Sequence, residues 1–140
     1  MNVIVVGSGR VGSSIAKLLQ SEGWNVTVID GKEEALGRLG ANWSGGFVLG
    51  HGMDTEVLAR AGIADADAVV VSTNGDNTNL VIGQVVKKRY GVECVVVRVL
   101  DPARAEFYAR RGMHTVCPTQ TAISALADAV RASVPEGSVA

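Results

Sequence analysis

The stretch VIVVGSGRVGSSIAKLLQ, Val3 to Gln20, decides the fold. A β-branched apolar run meets three glycines, Gly7, Gly9 and Gly12, at the spacing G-x-G-x-x-G. Apolar residues at Val11, Ile15, Leu18 and Leu19 then recur at a helical period. A glycine triplet that follows a strand and opens a helix is the setting in which this motif carries meaning. Gly7 allows a sharp turn, Gly9 leaves room for a phosphate to approach the backbone, and Gly12 lets the helix pack on the strands. Unpaired N–H groups and the helix dipole favour a phosphate at such a start. The plainer reading is that the glycines only end a strand.

Asp30 adds to the ligand reading. It closes the run VTVID, 18 residues after Gly12. An acid there can accept hydrogen bonds from both ribose hydroxyls of an adenosine and repel a 2′-phosphate, which favours NAD over NADP. Lys32, two residues on, works against that preference. Asp30 also suits an N-cap for the helical segment KEEALGRL, and both roles can hold at once. Arg10 lies within the loop, where its guanidinium either reaches phosphate, in its own or a neighbouring subunit, or is simply solvated.

Strand and helix patterns alternate along the rest of the chain. Strands are expected at 2–6, 26–29, 47–49, 68–72, 94–99 and 114–116. Helices are expected at 11–21, 32–39, 55–61, 76–90, 102–111 and 119–133, several of them stopped by a glycine. Nearly all-apolar strands are buried on both faces, and strand–helix alternation gives parallel pairing with right-handed crossovers. The expected fold is α/β, a single Rossmann-type domain with a doubly wound parallel sheet of about six strands.

The 140 residues suit one domain, burying roughly 70% of the unfolded surface. A hydrophobic content of 47% against 19% charged residues argues against disorder. The net charge of −1 gives no support for a nucleic-acid or anionic-membrane partner. Cys94 and Cys117 read as reduced, buried thiols, and with no CxxC pair or His/Cys cluster no metal site is expected. No basic leader precedes an apolar segment, and no apolar run reaches the roughly 18 residues of a membrane span. The chain is therefore expected to be cytoplasmic, with no direct membrane insertion.

The second half of the chain carries more than a general dinucleotide fold. VIDGKEE follows the glycine loop, then come GHGMDTEVLARAGIADADAVVVST, TNGDNTN, VRVLDP and GMHTVCPT. This ordered set, over about residues 2–130, resembles the RCK domains, also called KTN domains, and within them the TrkA-N branch. The resemblance implies a nucleotide-binding regulatory domain or subunit controlling potassium uptake or conductance. It would act by a ligand-dependent change of assembly, as a homodimer or larger ring. Its partner would be a membrane potassium channel or transporter at the inner face.

The implied cofactor is NAD(H), with ATP/ADP as the alternative. Its contacts map onto Gly7, Ser8, Gly9, Arg10, Val11 and Gly12, then Asp30, Gly31 and Lys32. Gly50, His51 and Gly52 would lie beside the adenine edge. Thr73, Asn74 and Asp76 would lie at the end of the fourth strand, and Arg98 at the end of the fifth. Asp76 can instead cap its helix, and Asn79 can serve the loop fold. Glu106 is either a dimer-interface carboxylate or an exposed helix residue.

No catalytic residue is expected. Tyr90 and Tyr108 lack a Tyr-x-x-x-Lys partner, and His51 and His114 have no relay. The alternative function is a small NAD-dependent oxidoreductase or its cofactor-binding domain. The face of Ile123, Leu126, Ala127 and Val130 is either a subunit contact or packing on its own domain. The family's full-length regulators continue into a second small domain. The expected division is thus a nucleotide-binding domain at 1–133, with 134–140 a tail or the start of a linker to an absent domain.

Overall fold

The computed structural model describes residues 1–136. Six strands form one sheet: β1 (Asn2–Val6), β2 (Asn25–Asp30), β3 (Gly46–Leu49), β4 (Ala68–Val71), β5 (Cys94–Arg98) and β6 (His114–Val116). All pairings are parallel, in the order β3-β2-β1-β4-β5-β6. The helices are α1 (Arg10–Ser21), α2 (Ala35–Leu39), α3 (Thr55–Arg60), α4 (Asp76–Tyr90), α5 (Pro102–Ala109) and α6 (Pro118–Ser133), with a 3₁₀ turn at Ile63–Asp65 that the sequence pattern does not reveal. This is the doubly wound order, with the chain reversing direction across the sheet at β1.

The side-chain alternation of β1 builds both layers. Val3 and Val5 pack on one face with Ala16 of α1 and Leu39 of α2. Ile4 and Val6 pack on the other with Leu58 of α3, Ile82 and Val86 of α4, and Ala105 of α5. A strand covered on both sides has no solvent face to mark with polar residues, hence the unbroken VIVV run.

Two helix ends differ from expectation by more than one residue, each for a local reason. Residues 32–34 wind more tightly than an α-helix, with amides of Ala35, Leu36 and Gly37 bonded to carbonyls three residues back, so α2 begins at Ala35. The N-cap position of α2 is then Glu34, and the reading of Asp30 as that cap does not hold. Similarly, α5 ends at Ala109, because Arg111 and Gly112 bond to carbonyls three residues back and Gly112 turns at φ +90°.

The cysteines also depart from the sequence reading. Cys94 opens β5 and is exposed, on the less buried face of the strand that alternates with Val95 and Val97. Cys117 is partly buried at the N-cap of α6, where its sulfur accepts from the amide of Gln120 and its S–H donates to the carbonyl of Leu100. Helix α6 buries none of its residues, and Ile123, Leu126 and Val130 are all exposed, so this face does not pack on its own domain. Of the expected tail, residues 137–140 lie outside the described residues.

Small residues seat α1 on the sheet: its buried positions are Gly12, Ser13 and Ala16. A Cβ on Gly12 would collide with the carbonyl oxygen of Gly7, which is backbone and has nowhere to move. Gly12→Ala is expected to cost about 1–3 kcal/mol, the range for forced overpacking. Urea unfolding of the two proteins measures it, and an unchanged midpoint would show that α1 can slide.

Candidate functional site

The cleft forms where β1 pairs with β2 on one side and β4 on the other, so the loops that follow diverge. It encloses about 370 Å³ at the carboxyl ends of β1 to β4. Backbone bonds fix its rim: the Gly7 amide donates to Ile29, the Ser72 amide to Val6, and the Gly50 amide to Asp30.

The glycine loop has three distinct physical roles. Gly7 turns at φ +95°, and a Cβ on it would lie 2.6 Å from the carbonyl oxygen of Ser72 at the end of β4. Gly12 packs beneath the loop. Gly9 has nothing within 4 Å of its would-be Cβ, so its missing side chain leaves open space on the cleft side. Gly9 is also the N-cap of α1, and no side chain caps the helix or places an acid in its first turn. The first amides of α1 therefore keep their hydrogen-bonding capacity and their share of the helix dipole.

Asp30 ties two loops together. One oxygen accepts from the amide of Ser8 at 2.7 Å, the other from the amide of Lys32 at 2.9 Å. A carboxylate oxygen has two lone pairs, so each keeps one for a further donor. A pair of hydroxyls on adjacent carbons, as in a ribose, supplies two such donors. Two buried hydroxyls also lack partners in this cleft. The Oγ atoms of Ser8 (0% exposed) and Ser72 (5% exposed) make no hydrogen bond, though both residues line it. A buried hydroxyl without a partner costs free energy unless something else supplies one.

On the β4 side, Asn79 is fully buried and uses its whole amide. Its Oδ1 accepts from the amide and the hydroxyl of Thr73, and its Nδ2 donates to the carbonyls of Thr73 and Arg98. Arg98 also donates to the Thr73 carbonyl, at 2.6 Å. The polar groups of Thr73 are thereby directed inward, to Asn79 and Arg98. On the β3 side, His51 accepts from the amide of Met53 through Nδ1, which leaves Nε2 as the protonated nitrogen of a neutral ring.

Of the residues singled out from sequence, Gly7, Ser8, Gly9, Asp30, Gly31, Lys32, Gly50, His51, Gly52, Thr73 and Asn74 all line the one cleft. Five do not. Arg10 and Val11 are exposed on the first turn of α1, and Gly12 lies under it. Asp76 points to the loop after β5, accepting from the amides of Leu100 and Asp101, and Arg98 supports Thr73 from behind. Glu106 is exposed and pairs with Arg110 one turn on.

Sequence reasoning missed Ser72 and Thr78, which neighbour positions it had marked, and Val6, Ile29 and Ile82, which it placed only within strands and a helix. It also missed Arg38. This α2 residue lines the cleft and donates to the carbonyl of Ser8 at 3.1 Å, a contact that spans 30 residues and leaves no local signal. Among the described residues, no group of three His, Cys, Asp or Glu side chains is placed to hold a metal ion, and no helix is long and apolar enough to cross a membrane.

The chain belongs to the TrkA-N domain family, whose match covers residues 3–119. It is 41% identical over 116 residues to the Trk system potassium uptake protein TrkA of Streptomyces coelicolor, covering 83% of this chain and 52% of that one. It is 32% identical over 123 residues to a TrkA homolog of Methanothermobacter thermautotrophicus, covering 87% and 56%. The chain thus spans about half the length of these curated relatives. The fold matches the Shewanella denitrificans Kef CTD in its AMP-bound form, with TM-score 0.79, 22% identity, and coverage of 97% of this chain and 84% of that one. It also matches the GsuK channel bound to NAD, with TM-score 0.76, 21% identity, and coverage of 91% and 22%.

Asn79→Ala would take away the acceptor of the Thr73 amide and hydroxyl and the Asn79 donor of the Arg98 carbonyl, while the Thr73 carbonyl would keep its bond from Arg98. Stability is expected to fall by about 3 kcal/mol, from buried groups at about 1–3 kcal/mol each. Thermal and denaturant unfolding would detect it, and a loss under about 0.5 kcal/mol would mean that water replaces the amide.

Proposed function

We propose that this cleft binds an adenine nucleotide, NAD(H) in the first place and ATP/ADP as the alternative, and that the domain is regulatory. The observation that carries the reading is the convergence of three features on one cleft. They are the uncapped start of α1 with open space at Gly9, a carboxylate with two free lone pairs at Asp30, and the unpartnered hydroxyls of Ser8 and Ser72. The helix start suits phosphate, and Asp30 suits a ribose diol. Gly50, His51 and Gly52 form the wall assigned to the base, with Thr73 and Asn74 on the side facing it. Arg10 stands outside the cleft wall on an exposed helix turn.

Membership of the TrkA-N domain family and the names of the relatives support potassium uptake as the process that is regulated. The domain would work by assembling with further copies and with a membrane channel or transporter. A nucleotide shifts such an assembly only by the difference in its affinity for the two arrangements. The alternative, an oxidoreductase, gains nothing from the cleft wall. Tyr90, Tyr108 and His114 lie outside it, and the one histidine present has its Nδ1 engaged by a backbone amide.

Calorimetric titration with NAD, NADH, NADP, ATP, ADP and AMP, with molecular mass read with and without each, tests the reading. Saturable binding of at least one, with a change of mass, is expected; no binding by any would overturn it. Asp30→Ala is expected to weaken binding by about 1–3 kcal/mol, through lost charge-assisted hydrogen bonds. Gly9→Ala separates site from fold. Its Cβ meets nothing, so the domain should lose no more than about 1 kcal/mol from the poorer cap, while nucleotide affinity drops at least about tenfold. Equal affinity in Gly9→Ala would place the phosphate elsewhere.

A further inference from the structure

We infer that Arg38 of α2 is a specificity-determining residue of the cleft, a phosphate-reading guanidinium that selects nucleotides by their charge. The inference rests on the nucleotide reading of the cleft and deepens it.

The charged side chains on the cleft wall are Asp30, Lys32 and Arg38. Among the described residues the salt bridges all lie elsewhere, at Asp101–Arg104, Glu106–Arg110 and Asp128–Arg131. Asp30 satisfies its charge with two backbone amides and not with either cation. Arg38 is therefore held by a neutral partner, the carbonyl of Ser8, at 3.1 Å. That bond occupies one of five N–H groups and none of the positive charge. It also fixes where the charge sits. Ser8 immediately precedes Gly9, the residue that leaves open space at the start of α1. A cation anchored to that loop and an uncapped helix start favour the same anion, and a guanidinium presents paired donors that match phosphate oxygens.

Helix dipole alone does not account for the contact. Arg38 lies in the last turn of α2, where a cation is favourable, but a dipole interaction needs no bond to a residue 30 positions away. Lys32 shares the cleft, yet only its backbone amide is engaged, so its ammonium lacks this positioning.

The test uses calorimetric titration of the whole chain with adenosine, AMP and ADP, on wild type, Arg38→Ala and Arg38→Lys, with thermal unfolding as the fold control. Arg38→Ala is expected to lose roughly tenfold in ADP affinity, less for AMP, and nothing for adenosine, as a charge-assisted bond requires. Arg38→Lys should recover part of the loss, and the difference between wild type and Arg38→Ala should shrink as salt rises. Unchanged ADP affinity in a folded Arg38→Ala would overturn the inference. So would an equal loss for adenosine and ADP, which would make Arg38 a support for the loop or the base. If wild type binds none of the three and no other adenine nucleotide, the nucleotide reading itself fails and this inference falls with it. Binding by wild type with no effect of the substitution removes Arg38 alone.

Discussion

Backbone lies against backbone where β1 meets α1, and the rest of the site follows from that. The carbonyl of Gly7 sits under Gly12, and Gly7 itself lies against the end of β4. Side chains at these two positions would push the helix off the sheet and β1 away from its neighbour. With both absent, α1 starts directly over the carboxyl end of the central strand, and its free amides open onto the point where the sheet order reverses. A buried strand, a tight turn and a helix start are thus a single packing solution. The anion-favouring potential of the cleft is a consequence of that solution, not an addition to it.

The walls are held by polar groups that do not compete for a ligand's remaining contacts. Asp30 closes the β2 side by gripping two amides, and one lone pair per oxygen is left over. Asn79 closes the β4 side with a saturated amide and turns the polar atoms of Thr73 inward. Between them lie the hydroxyls of Ser8 and Ser72 without partners, and the guanidinium of Arg38 with one. Satisfaction at the walls and under-satisfaction in the middle is the pattern expected of a preformed site, in which a ligand completes the hydrogen bonding.

Most of this was legible because it is local. The spacing of Gly7, Gly9 and Gly12 reports a turn and a helix start within six residues, and the apolar strands report burial on both faces. What escaped depends on contacts across the fold. Arg38 reaches Ser8 only because α2 packs beside α1, and nothing in GRL announces it. Asp76 stands in a helix-opening position that suits a cap, yet its carboxylate serves the loop after β5, across a distance of 24 residues in sequence. The start of α2 was misplaced because Lys32 to Glu34 are good helix formers by residue type, yet they wind as a tighter turn. Cys94 was taken as buried from its apolar neighbours, but an unbroken apolar run does not say that the two faces of β5 are unequally covered, Val95 and Val97 being buried and Val96 only partly so.

The same cross-fold contacts set the terms on which a ligand could alter the rest of the domain. Asn79 joins Thr73 in the cleft wall to the carbonyl of Arg98 at the end of β5. Asp76 holds Leu100 and Asp101 just beyond it, and Leu100 in turn accepts from Cys117, which caps α6. The cleft wall and the start of the exposed apolar helix therefore share the loop after β5. In this fold, the hydrogen bonds traced from the cleft to α6 run through its β4 side, by way of Asn79 and Asp76.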